Sequence, residues 1–223
     1  MDILEFDTRN GQRNCVRRDD VRAHLDQSRR VTGDLGGGLA RQWSRAGYTI
    51  VIGSRTLEKG QEAAAALLTE FPDLNVTGLD NPAAAEQADL VVLTVPFAHQ
   101  LSTLDSVKHA LIGKVLIDVT VPLVPPKVGT VQMPASGSAG QQAQDHLGED
   151  VFVVSAFQNV GAMHLQEDHS IACDVLVTGN KRAARDTVIT LIEALGLKGE
   201  ERVLEIVEPI QGQSGSKHIR RIC

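Results

Sequence analysis

Two short stretches carry residue types suited to chemistry. The first is Thr32-Gly33-Asp34-Leu35-Gly36-Gly37-Gly38-Leu39-Ala40, which runs into Leu39, Trp43 and Ala46, spaced as one face of a helix. Glycines at such a turn let the backbone approach a pyrophosphate, and the helix N-terminus stabilises its charge. Gly33 and Gly36 match the second and third glycines of the dinucleotide fingerprint G-x-G-x-x-G, while Val31 stands where the first belongs. The second stretch, Gly53-Ser54-Arg55, comes about 20 residues later, where dinucleotide folds read the adenosine ribose. Enzymes that take NAD place a carboxylate there for the 2′-hydroxyl, and a carboxylate repels a 2′-phosphate. A hydroxyl and a guanidinium bind that phosphate instead, so Ser54 and Arg55 favour NADP. Lys59, at the start of the following helix, adds a second cation. The plainer alternative is a ligand-free loop, with Arg55 and Lys59 as solvated surface charges.

Those residues need elements to hold them. Tyr48-Thr-Ile-Val-Ile52 is an apolar run ending at Gly53, read as a buried strand over 48–53. An alanine-rich helix follows, with Leu57, Ala64 and Leu67 at apolar positions. Further strands are expected at 90–95, 114–119, 151–156 and 174–178, with helices over about 99–111 and 182–194. Uniformly apolar strands separated by amphipathic helices predict a doubly wound α/β fold, its parallel sheet covered on both faces. In this Rossmann-type architecture ligands sit at the carboxyl ends of the strands. Residues 122–148, rich in Pro, Gly, Ser and Gln, read as the longest loop. The expected organisation is an atypical N-terminal segment over 1–31, a dinucleotide-binding domain over 32–148 and a smaller C-terminal α/β portion over 149–223. Within the first segment, Leu25-Asp-Gln-Ser-Arg-Arg30 stands where an apolar first strand is expected, which predicts loose packing there.

The bulk numbers narrow the partners. A net charge of −6 over 223 residues argues against nucleic acid, which selects a basic face. The three cysteines, Cys15, Cys173 and Cys223, form no CxxC pair and fit a reducing, cytoplasmic setting. No apolar stretch approaches the roughly 20 residues of a membrane helix. No Ser/His/Asp triad or metal cluster stands out, and His164 and His169 read as solvated side chains.

Four separated motifs resemble a known family: Thr32-Gly-Asp-Leu-Gly36, Ile52-Gly-Ser-Arg55, Leu93-Thr-Val-Pro-Phe97 and Val154-Ser-Ala-Phe157. Their order and spacing are similar to the NADPH-dependent reductases of the deazaflavin coenzyme F-420, over about 32–197. The resemblance implies direct hydride transfer between NADP(H) and coenzyme F-420, with both rings stacked in one cleft. It implies that Thr32, Gly33, Asp34 and Leu35 cradle the pyrophosphate and that Ser54, Arg55 and Lys59 hold the 2′-phosphate. Val95 and His99 would border the ribose and nicotinamide, with Val121 in the same pocket. Ala162 would meet the nicotinamide amide and the deazaflavin. The family also implies a homodimer. Such a reaction needs little acid–base help, so no catalytic side chain is assigned.

The pattern departs from the family at both ends, in residues 1–30 and beyond Gly199. Two other readings therefore stand beside the first. One is an NADP-dependent reductase of flavin or metal, like the cytosolic domains of some membrane metalloreductases. The other is a degenerate module that holds NADP without turnover.

Overall fold

The computed structural model describes residues 3–7, by their backbone, together with 34–123, 131–166 and 173–201. The expectation of loose packing falls mainly on residues 8–31, outside the described residues, as do Thr32, Gly33 and His169. In chain order the elements are β1 (Ile3–Asp7), α1 (Asp34–Arg45), β2 (Thr49–Ser54), α2 (Leu57–Glu70), β3 (Val76–Asp80), α3 (Asn81–Gln87) and β4 (Leu90–Leu93). A 3-10 turn, Phe97–His99, leads into α4 (Gln100–Val107), and a second turn, Lys108–Leu111, precedes β5 (Val115–Asp118). Then come α5 (Ala139–Leu147), β6 (Phe152–Ser155), α6 (Ala162–Gln166), β7 (Asp174–Gly179), α7 (Arg182–Glu193) and β8 (Lys198–Glu201).

The strands form one sheet in the order β3-β2-β1-β4-β5-β6-β7-β8. All five expected strands are present, within two residues of their predicted ends. Side chains alternate across each strand, and the core divides accordingly. Val92, Ile117 and Val154 pack with Leu39 and Trp43 of α1, Ala63 and Ala64 of α2 and Val188 and Leu191 of α7. Val91, Leu93, Leu116 and Val153 pack with Ala85 of α3, Leu104 of α4 and Ala143 and Leu147 of α5 on the other face. Both faces are thus covered, which is why these strands read as unbroken apolar runs. Trp43 is fully buried. Its Nε1 donates to the Leu191 carbonyl at 2.9 Å, and its ring meets Phe157 edge-on with centroids 5.5 Å apart.

The sheet corrects three details of the sequence reading. Residues 1–31 do supply a strand at the expected central position, since Ile3–Asp7 pairs with both β2 and β4. It runs antiparallel to both, so Asp7 lies beside Thr49, at the edge where α1 ends. β2, β3, β4, β5 and β6 share one direction, whereas β7 runs antiparallel to β6 and carries β8 parallel to itself. The stretch read as the longest loop contains α5, which Ser138 caps by accepting from the Gln141 N–H at 3.0 Å. Among the described residues, Pro134, Ser136 and Gly137 lie on the approach to that helix, and Gly148 ends it at φ 85°.

Candidate functional site

The carboxyl ends of β2, β4 and β5 lie along one edge of the sheet, in the order set by β1 between β2 and β4. At strand spacings of 4.7–4.9 Å, β2 and β5 stand about 14 Å apart. Ser54 closes β2 and is buried, while Arg55 and Lys59 are exposed. Between them Thr56 adopts extended backbone and caps α2, its Oγ1 accepting from the Lys59 N–H at 3.4 Å. Two cations thus flank the N-terminus of a helix, and neither forms an ion pair among the described residues. That combination suits a dianionic phosphate.

The seat is held from behind by two glycines. A Cβ on Gly60 would fall 2.1 Å from the Leu79 carbonyl oxygen, and one on Gly78 would fall 2.1 Å from the Gly60 oxygen. The first turn of α2 therefore rests directly on the backbone of β3. Beside it, Ser54 pairs with Asp80 in the ladder, and Asp80 caps α3 by accepting from the Ala83 N–H at 2.9 Å.

Helix α1 begins at Asp34, so its N-terminus lies where the glycine motif enters. Leu35 is half-buried against the core. Gly38 serves packing: a Cβ there would lie 2.6 Å from Leu165 Cβ and 3.6 Å from the Ala162 carbonyl. Helix α6 settles on α1 at this point, with Gln42 Nε2 donating to the Leu165 carbonyl at 2.8 Å and Arg41 Nη1 to that of Gln166. This contact brings Ala162 beside the first turns of α1, across more than half the chain.

At the end of β4, Val95 is buried in the core and His99 is exposed. Thr94, next to Val95, has its Oγ1 buried with no hydrogen-bond partner among the described residues. A buried hydroxyl without a partner costs free energy, and a ligand group at this edge would satisfy it. Val121, after β5, lines a cavity of about 270 Å³ that also takes in Thr120, Ser138, Ser155 and Thr178 on its polar side. Val131, Met133 and Leu176 add apolar surface to the same cavity. Ser54, Arg55, Lys59, Val95, His99 and Ala162 do not line it.

Sequence reasoning missed a polar cluster under this edge. Asp118, at the end of β5, is fully buried. Its Oδ1 accepts from the Thr120 N–H at 3.0 Å and its Oδ2 from Gln100 Nε2 at 2.9 Å. Burial pushes its carboxyl up to about 6, against the lowering effect of the bonds from Thr120 and Gln100. The signal was a carboxylate inside the apolar run 114–119.

Comparison with known proteins now bears on this arrangement. Residues 31–122 match the family model described as NADP oxidoreductase, coenzyme F420-dependent. The F420-dependent NADP reductase of Methanothermobacter marburgensis is 39% identical over 194 residues, covering 80% of this chain and 87% of that protein. The protein of the same name from Methanocaldococcus jannaschii is 35% identical over 195 residues, covering 80% of this chain and 86% of that one. The chain belongs to the F420-dependent NADP reductase family.

The family assignment agrees with the fold. A crystal structure of a putative F420-dependent NADP reductase from an Arthrobacter species superposes with a TM-score of 0.65, at 27% identity over 76% of this chain and 80% of that one. The residues present also fit an NADP nucleotide: among the described residues, cations without an ion-pair partner stand at the β2–α2 turn and a buried hydroxyl without a hydrogen-bond partner at the end of β4. Among the described residues no helix is long and apolar enough to cross a membrane.

Proposed function

We propose that the chain transfers a hydride between NADP(H) and coenzyme F-420. The observation that carries the reading, beside family membership, is the pair Arg55 and Lys59 at the N-terminus of α2 with Ser54 at the end of β2. These three hold the 2′-phosphate. The N-terminus of α1, with Thr32, Gly33, Asp34 and Leu35, holds the pyrophosphate. Val95 and His99 border the nicotinamide ribose, and Val121 and Ala162 border the ring itself.

The cavity beside Val121 receives the deazaflavin, because a flat ring with one polar edge matches a space bounded by hydroxyl residues and by Val131, Met133 and Leu176. The bound coenzymes supply direct hydride exchange between two conjugated rings. The chain's own work is to orient them and exclude water. A cytoplasmic location and a homodimeric assembly belong to the same reading, and sedimentation of the purified chain tests the second.

Mixing the chain with NADPH and coenzyme F-420 and following deazaflavin absorbance tests the function. We expect bleaching that depends on NADPH and is much slower with NADH. Equal rates with a riboflavin-type flavin would favour the flavin-reductase reading, and NADP binding without turnover would favour a non-catalytic module. The relatives favour neither.

A further inference from the structure

The buried cluster around Asp118 performs no step in the reaction as described, yet it ties together the segments that border both rings. Gln100 is fully buried. Its Nε2 donates to Asp118 Oδ2 at 2.9 Å and contacts Thr120 Oγ1 and the Ala139 carbonyl, each at 3.0 Å. Its Oε1 accepts from Gln142 Nε2 at 2.9 Å. The backbone oxygen of Asp118 accepts from Gln158 Nε2 at 2.7 Å. The Asp118 carboxylate and the Gln100 amide thereby join the end of β5, the start of α4 and the first turn of α5, and the Asp118 backbone oxygen adds the turn after β6.

Each joined segment carries a residue of the proposed site. Gln100 follows His99, Thr120 precedes Val121, and Thr120, Ala139 and Gln158 themselves line the cavity. Burying a carboxylate is costly, and an apolar side chain of similar size commonly serves stability as well or better. What an apolar residue does not supply is directional bonds to a backbone N–H on one side and to a helix on the other. From that geometry we infer that Asp118 and Gln100 are positioning residues, setting the nicotinamide-bordering segments in register with the wall of the acceptor cavity. The inference rests on the proposed function. Hydride transfer requires the reacting atoms about 3–3.5 Å apart, so a shift of about 1 Å in one wall is strongly felt.

The test is single-turnover mixing of NADPH-loaded enzyme with coenzyme F-420, with rates expressed per molecule able to bind adenosine 2′,5′-bisphosphate. That probe spans the β2–α2 turn and the N-terminus of α1, and has no nicotinamide to reach the segments that the cluster joins. For Asp118→Asn we expect a rate loss on the order of 100-fold with the probe's Kd changed less than about twofold. A milder variant, Thr120→Val, keeps the backbone N–H and removes only the hydroxyl, so it remains informative should Asp118→Asn not fold. It should slow transfer about tenfold with the same unchanged probe affinity. Wild-type transfer rates in Thr120→Val, or loss of rate and of probe affinity together in either variant, would overturn the inference. A wild-type chain that binds the probe but reduces no coenzyme F-420 would refute the proposed function and this inference with it.

Discussion

Replacing Gly60 by alanine tests how the proposed 2′-phosphate seat is built. The new Cβ would stand 2.1 Å from the Leu79 oxygen, 2.8 Å from its nitrogen and 2.9 Å from its carbonyl carbon. All three atoms are backbone, held in register with β2 by the parallel ladder, so no side chain is available to swing aside. Interiors are close-packed, and relief therefore requires α2 to lift from β3 by about 1 Å. Overpacking of this kind costs about 1–3 kcal/mol, and a backbone clash belongs at the upper end. For a chain of this size each kcal/mol lowers Tm by about 2–4 °C, which gives a drop of about 6–12 °C. The turn that moves carries Arg55, Thr56 and Lys59, so NADP affinity should fall with Tm, on the order of tenfold. Differential scanning calorimetry and a fluorescence titration with NADP measure the two quantities. A Gly60→Ala protein that melts within about 1 °C of the parent and binds NADP equally well would refute the argument that this glycine sets the seat.

Arg55→Ala should weaken NADP binding by about 1.5–3 kcal/mol while leaving NAD binding nearly unchanged, since only NADP carries the 2′-phosphate; equal losses measured by titration calorimetry would remove Arg55 from that role. Deleting residues 1–7 takes away the strand that pairs with both β2 and β4, and the remaining chain should show no cooperative melt; an unchanged transition would mean that β1 contributes nothing to the sheet. Asp118 gives a pH signature. Its folded pKa of about 6 lies above its ordinary 3.8, so between those values the folded state keeps a proton that the unfolded chain has released. Its contribution is fully present below pH 3.8 and is lost as pH rises to about 6. Asp118→Asn, which does not titrate, should therefore gain stability relative to the parent as pH rises through that window in urea melts; parallel pH profiles would refute the assignment.

The strands β2, β4, β5 and β6 were legible because each is buried on both faces, and that demand writes itself as consecutive Val, Ile and Leu. Ser54, Arg55 and Lys59 pointed to NADP, the cofactor in the name of the relatives, because charge sign is a property of the residues themselves and their spacing from the glycine motif is local. Strand β3 was not, since Gly78 reads as a break until Gly60 of α2 is seen resting on it. Strand β8, Lys-Gly-Glu-Glu, has no apolar run at all and is recognised only by its ladder with β7.

By itself the sequence determined the layered α/β architecture, the carboxyl-edge placement of the candidate site and the cationic character of its β2 end, all of which follow from residue type and short-range period. Tertiary structure decided the rest. The direction of β1 is not encoded in Ile-Leu-Glu-Phe-Asp, because a period of two is the same read from either end; its neighbours β2 and β4, placed by later residues, set it antiparallel. Ala162 reaches α1 only because Gly38 has no Cβ to hold α6 away. The Asp118 cluster joins residues separated by 18, 20 and 39 positions, and no local pattern states which distant amide a buried carboxylate will meet. That meeting is settled when the sheet and its two helix layers close, and burial then leaves each polar group only the partners within reach.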